Sequence, residues 1–228
     1  KRLLLEGTAE YNNELFQPTL RQEGARIVLS AGDGRLELKE FIELWGKVKD
    51  HLNRWDLRLA PVPMELTADL GACSTRLELG GIPLRRLRLA QGFSDFEVSF
   101  GKPNPIEMEE LFFSGGPSRS QLIKLANANS SRIVCQGGGG VFLLDFSGKL
   151  RRDLYVKIET GAGEMTLSVP EEVAVEVQTH TGLAVVDFRG TWNKPYEGLY
   201  RHEGIRPGPK ISVDAAVLAG SLKLWAVK

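Results

Sequence analysis

Asp145 and Asp187 are the acidic residues whose placement comes nearest to chemistry, because each stands in one copy of a repeated phrase. Leu144-Asp145-Phe146-Ser147-Gly148 returns 42 residues later as Val186-Asp187-Phe188-Arg189-Gly190. If that interval is two steps in a stack of strands, the carboxylates lie about 10 Å apart, near the spacing at which an inverting glycosidase places its acid and its base. A polar residue repeated at one turn position also serves simply as a turn hydrogen bond, and that is the expectation for this pair.

The other chemistries tested fall short of their requirements. Gly148-Lys149 is followed by Leu150 where a phosphate loop needs Ser or Thr, and Gly161-Ala162-Gly163 meets Thr166 where a dinucleotide fingerprint needs Gly or Ala. His51, His180 and His202 are far apart in the chain and do not read as a zinc set. Ser118 and Ser120 flank Arg119 in what reads as a loop, without the Gly-x-Ser-x-Gly elbow of a serine hydrolase. Asn129-Ser130-Ser131 matches a glycosylation sequon, a pattern frequent by chance. Cys73 and Cys135 are too few for a disulfide framework; both read as small buried hydrophobes in different layers of the fold. No catalytic residue, cofactor or metal is expected.

Composition narrows the partners. The 228 residues carry 29 basic and 29 acidic side chains, so no global field favours nucleic acid or an anionic bilayer. Arg85-Arg86 and Arg151-Arg152 read as solvated strand faces. The 42% apolar content is enough for a continuous core. Apolar runs such as residues 141–144 are far shorter than the roughly 20 residues of a membrane helix. The chain begins at Lys1, which reads as the result of processing or cloning that removed a preceding segment.

What must position any site is a recurring unit of short apolar strand, glycine turn and short apolar strand. Glycines 71, 92, 115, 139, 161 and 182 mark a period of about 21 residues. Such a unit is too short for a helical crossover and lacks the Asn-Gly or Asp-Gly turns of a meander. It predicts an all-β fold, a single-stranded right-handed parallel β-helix over residues 1–228 with one rung per repeat and columns of inward Leu, Val, Ile and Phe. The run 141–146 alternates too little to be half exposed and reads as covered on both faces. Asn127-Ala128-Asn129 reads as a loop.

The period fails in two places. Residues 36–53 carry Leu38, Phe41, Trp45, Val48 and Leu52 at helical spacing, with Gly46 opposing it; a capping helix and an irregular rung both fit. Residues 191–210 form an insertion with Trp192, Tyr196 and Tyr200 before the pattern resumes at Ile211. Phe41, Trp45, Trp192, Tyr196 and Tyr200 are the candidate interface, as aromatic anchors of a binding surface; the alternative is that they fold back over the neighbouring rungs.

The phrase at 144–148, the run Gly161-Ala162-Gly163-Glu164-Met165-Thr166-Leu167-Ser168-Val169-Pro170 and the closing Gly220-Ser221-Leu222-Lys223-Leu224 resemble the bacterial toast-rack domain. This is the adhesin-like group related to Lia-type proteins of the cell-wall-active antibiotic response. The resemblance covers about residues 55–228. It implies a right-handed β-helix placed outside the cytoplasm, behind a signal or membrane anchor that lies outside these residues, and it brings no shared catalytic residues. The function expected is a non-catalytic extracytoplasmic domain that binds or scaffolds, with an envelope protein or cell-wall component as partner and self-association through an exposed helix-end or strand edge. A polysaccharide lyase or glycosidase on the same scaffold, and a sensory domain of an envelope-stress system, are the alternatives.

Overall fold

The computed structural model describes residues 4–13, 17–31, 53–71, 73–92 and 95–228, and these are all-β apart from one turn of 3-10 helix at Leu125–Ala128. The stretch 36–52 that posed the choice between helix and strand lies outside the described residues, and with it Phe41 and Trp45. The chain forms two compact units, Lys1–Ala60 and Pro61–Lys228.

In the first unit, β1 (Leu5–Tyr11) pairs antiparallel with β4 (Asn53–Leu59), and β2 (Pro18–Glu23) with β3 (Arg26–Ala31). The second pair closes through the two residues Gly24-Ala25, with Gly24 at φ +60. A two-residue hairpin loop needs such a left-handed backbone.

The second unit is one mixed sheet of twelve strands. Three rungs are pairs of short strands and the fourth is a single long one. These are β5 (Met64–Leu70) and β6 (Thr75–Glu78), β7 (Leu84–Gln91) and β8 (Asp95–Ser99), β9 (Glu110–Gly115) and β10 (Ser118–Ile123), and then one long strand, β11 (Arg132–Asp145), that continues both members. β11 receives β9 along its first half and β10 along its second, so the sheet forks there into two faces. β12 (Leu154–Pro170), β13 (Val175–Arg189) and β16 (Ile211–Val227) are long bent strands of the same kind. A hairpin, β14 (Asn193–Tyr196) and β15 (Leu199–His202), turns at Glu197-Gly198 and lies antiparallel on the first residues of β13.

Parallel register puts like residues side by side. Leu77, Val98, Leu122, Leu144, Leu167, Leu224 and Phe188 form one column across successive strands. Leu66, Leu87, Leu111, Ile133, Val156, Val213 and Val177 form another on the second face. Most of these side chains are fully buried, and each such Leu or Val contributes roughly 1.5–3 kcal/mol. The run 141–146 is one strand of this kind, and it does alternate. Phe142, Leu144 and Phe146 are buried while Val141 is exposed, so one face is covered rather than two.

The third side of the stack closes with buried asparagines. Asn104 Nδ2 donates to the Leu84 carbonyl (2.8 Å), Asn127 Nδ2 to Phe100 (2.9 Å) and Asn129 Nδ2 to Ile106 (2.8 Å). These amides tie each rung to its neighbour where the backbone has left the ladder, satisfying carbonyls that burial would otherwise orphan. Asn127-Ala128-Asn129 is therefore core and not a solvated loop, and Asn129 is too buried to accept a glycan in the folded protein.

Two expectations about order need correction. The pattern that resumes at Ile211 is not the next rung after β13, because β16 lies between β12 and β13 and pairs in parallel with both. β13 is consequently the last long strand, flanked beyond, among the described residues, by the hairpin alone. The glycines that stack also differ from those of the 21-residue series: Gly140, Gly163 and Gly220 are register mates, at φ +117, +135 and +108. A Cβ on Gly163 would stand 2.0 Å from the Gly140 carbonyl oxygen, and one on Gly220 equally close to that of Gly163. Only glycine lets adjacent bent strands approach this closely in this conformation. Gly163→Ala is expected to cost on the order of 4 kcal/mol. Gly138→Ala, whose Cβ meets nothing within 4 Å, should change stability by less than about 0.5 kcal/mol. Denaturant unfolding of both variants checks this.

Candidate functional site: the open end of the sheet

Most ionisable side chains along the stack have structural partners. Arg86 reaches Glu109 (2.5 Å) and Glu65 (3.8 Å), Arg132 reaches Glu110 (3.2 Å), and Lys223 reaches Glu164 (2.5 Å). Three register pairs add a guanidinium over a ring, with Arg88 on Phe112 (4.3 Å), Arg132 on Tyr155 (5.4 Å) and Arg189 on Trp225 (4.7 Å). Solvated pairs of this sort are individually worth little; their regular use leaves the lateral faces charged and even.

The proposed carboxylate pair is not a pair. Asp145 stands in line with Ser168, Trp225 and Arg189, whereas Asp187 stands opposite Lys223, three strands away and two residues out of register. The extra strand is β16, and the offset arises because the register steps are 23 residues from Asp145 to Ser168 and 21 from Ser168 to Arg189; the repeated phrase reveals neither. Asp145 is a corner cap: its carboxylate accepts from the Ser147 N–H (3.0 Å), the Ser147 hydroxyl (2.6 Å) and the Lys124 N–H of the adjoining rung (3.1 Å). Glu78 does the same at an equivalent corner, accepting from Gly80 and Gly101 N–H (2.8 Å each) and from the Ser99 hydroxyl (2.7 Å). Partial burial pushes the Glu78 carboxyl up, but these hydrogen bonds outweigh it and hold the group below the usual carboxylate range.

Ser118 and Ser120 lie in β10, not in a loop, and bond to each other (3.0 Å); Ser120 is buried in the column between Phe96 and Phe142. Cys135 is fully buried, and burial pushes its thiol up to about 12. Cys73, expected to be buried as well, is exposed. Among the described residues no group of three or more His, Cys, Asp or Glu is arranged to hold a metal ion. No helix among them is long and apolar enough to cross a membrane.

Ile205, Val141 and Tyr155 are exposed singly, but among the described residues exposed apolar side chains gather at the end of the sheet at β13. The hairpin covers residues 175–178, and the Thr179 N–H donates to the Gly198 carbonyl (2.7 Å). Beyond that point β13 has β16 on one side and, among the described residues, no strand on the other. Leu183 is 87% exposed, Val185 61% and Phe188 56%, with Leu218 of β16 also exposed beside them. A shallow cleft of about 420 Å³ follows this edge, lined by Thr181, Ala184 and Val186 on one side and by Glu197, Gly198 and Tyr200 of the hairpin on the other.

The three aromatics of the insertion have separate placements here. Tyr196 is 61% exposed on β14. Tyr200 is buried, only 6% exposed, with its ring 6.3 Å from that of Phe188. It folds back over the end of the core, as one of the two readings of the insertion expected. Trp192 is half-buried; its indole N–H donates to the Arg189 carbonyl (3.1 Å) and its ring lies 5.6 Å from that of His202. His202 sits with both ring nitrogens within reach of backbone carbonyls, Thr191 at 2.8 Å and Glu171 at 3.0 Å, which pins the hairpin to the turn after β12. Leu183, Val185 and Phe188 escaped the sequence because apolar residues at both parities of a strand read as burial on two faces. The signal that distinguishes them is the position of β16, which is long-range.

Residues 1–109 match the family model for the N-terminal domain of toast_rack (DUF2154). The resemblance to the toast-rack group is thus borne out, and it extends over the first sixty residues, which the repeated motifs alone had not reached. No curated protein matches the chain. Among solved structures, a "putative cell adhesion protein" from Clostridium sporogenes ATCC 15579 matches at a TM-score of 0.53 and 17% identity. The match covers 100% of this chain and 84% of that one. At this identity the likeness concerns the fold.

Two measurements test the assignments of the corner and the thiols. A maleimide should modify Cys73 in the folded protein and Cys135 only after unfolding. Because the folded Cys135 thiol ionises above its unfolded value, stability should hold below about pH 9 and fall as pH rises toward 12. Glu78→Gln should cost roughly 1 kcal/mol at neutral pH, a figure already reduced for its exposure. The depressed carboxyl contributes above its unfolded pKa, so that difference should vanish as pH falls through the folded value; acid unfolding of the two proteins checks it.

Proposed function

We propose that this chain is a non-catalytic, adhesin-like domain of the bacterial envelope, acting outside the cytoplasm, that binds or scaffolds an envelope protein or cell-wall component. The observation that carries the reading is the contrast between the lateral faces and the β13 end. On the faces, charges are held in cross-strand pairs and corner caps. At the end, Leu183, Val185, Phe188, Leu218 and Tyr196 are exposed together. An apolar surface with a polar surround is the usual mark of an interaction site. The toast-rack match and the adhesion-protein neighbour support the same reading. Right-handed winding with rungs of about 21 residues is the finer form of the fold that we adopt with it.

The glycosidase alternative loses its particular basis, since Asp145 and Asp187 do not face one another. Tyr196 is the insertion residue best placed to touch a partner, and Tyr196→Ala is expected to weaken binding to envelope fractions about fivefold or more. Tyr155→Ala on a lateral face should leave it unchanged. Retention on purified cell-wall sacculi and on solubilised envelope proteins, compared for the three proteins, is the measurement. Equal retention of wild type and Tyr196→Ala on every fraction would remove the hairpin from the binding surface.

A further inference from the structure

The free part of β13 is bounded on both sides by satisfied groups, and between those bounds it is complementary to itself. At one limit the Thr179 N–H is taken by Gly198; at the other the Arg189 carbonyl is taken by the Trp192 indole. Between them, residues 182–188 read Gly-Leu-Ala-Val-Val-Asp-Phe, a β-prone segment without proline and with one charge. Among the described residues, no strand pairs with its peptide groups on the side away from β16.

We propose that this edge pairs antiparallel with the same edge of a second copy, on a two-fold axis through Val185. The inference rests on the β13 end being the interaction surface and names its occupant. In the register that pairs the whole of 182–188, Ala184 faces Val186 on the core side and Gly182, at the bend beside Leu218, faces Phe188, each twice by symmetry. Core-side orientation follows from their register mates, since Val186 stands beside the buried Leu222 and Phe188 beside the buried Leu224. Both pairs set a large side chain against a small one. An exposed phenylalanine laid over a glycine on the neighbouring strand is a known way of stabilising an edge. On the outer side Val185 meets Val185, Leu183 meets Asp187, and no like charges stand opposite. Isologous pairing of this kind closes after two copies and leaves no further edge to grow.

Register makes the test specific. In a Cys73→Ser background, Val185→Cys places two thiols directly across the axis, with Cα atoms about 4.5–5.5 Å apart, inside the disulfide range. Leu183→Cys places them about 14 Å apart along the strands, outside it. Expected are a dimer of the wild type by sedimentation at about 10 µM, and association weakened about tenfold or more in Val185→Lys. Under mild oxidation, a covalent dimer of Val185→Cys and none of Leu183→Cys is expected. Leu183→Lys, opposite Asp187, should keep the dimer, and Leu183→Glu should break it. A monomeric wild type, or a Leu183→Cys dimer that forms as readily as the Val185→Cys one, overturns the proposal. So does a wild-type dimer indifferent to both Val185→Lys and Leu183→Glu. These measurements use the purified chain alone, so their failure is distinct from a failure to bind the envelope.

Discussion

Every rung of the larger unit depends on its neighbours keeping a parallel register, because the side chains that fill the interior do so in columns and not as isolated contacts. A slip of one residue would turn Leu144, Leu167 and Leu224 outward together and bring polar neighbours in. Three devices hold the register against such a slip. The glycines at 140, 163 and 220 fit against one another only when aligned, the carboxylates of Glu78 and Asp145 accept N–H groups from two rungs at once, and the buried asparagine amides join rungs where the ladder is interrupted. None is a large stabilising term alone. Each excludes the alternatives.

The same constraint bears on how the fold handles the edge at β13. A stack of strands exposes an edge wherever it stops. Here half of the last edge is covered by a hairpin of the chain itself, pinned by His202 and by Tyr200 against Phe188, while the other half is left uncovered. The uncovered half carries its apolar residues on both faces, which is the opposite of the charged or proline-bearing edges by which soluble sheets usually avoid pairing.

Much of this architecture was legible in the chain. The spacing of strand and turn yields the all-β class and the columns, and the null role of the repeated aspartate was readable from its place beside a turn. Two kinds of information were not. Burial at a corner depends on atoms brought in from other rungs, so Asn129 and Ser120 read as loop residues when they are interior, and Cys73 read as interior when it is exposed. Strand order is also invisible to a periodic pattern: residues 211–227 carry the same alternation whether they follow β13 or slide between it and β12. That single ambiguity misplaced Asp187 and concealed the exposure of Leu183 and Val185.

The position of β16 also bears on how the structure can form. In an ordinary solenoid each rung can add to the one before it, and stability grows by nearest-neighbour steps. Here β12 and β13 are held two strand spacings apart by a strand that follows both of them in the chain. β13 therefore has only its own hairpin as a neighbour until β16 enters, and β16 has none on one side until β13 is in place. The three strands must be acquired together, so this end of the molecule is expected to behave as one cooperative block, slow to assemble and correspondingly reluctant to peel away rung by rung.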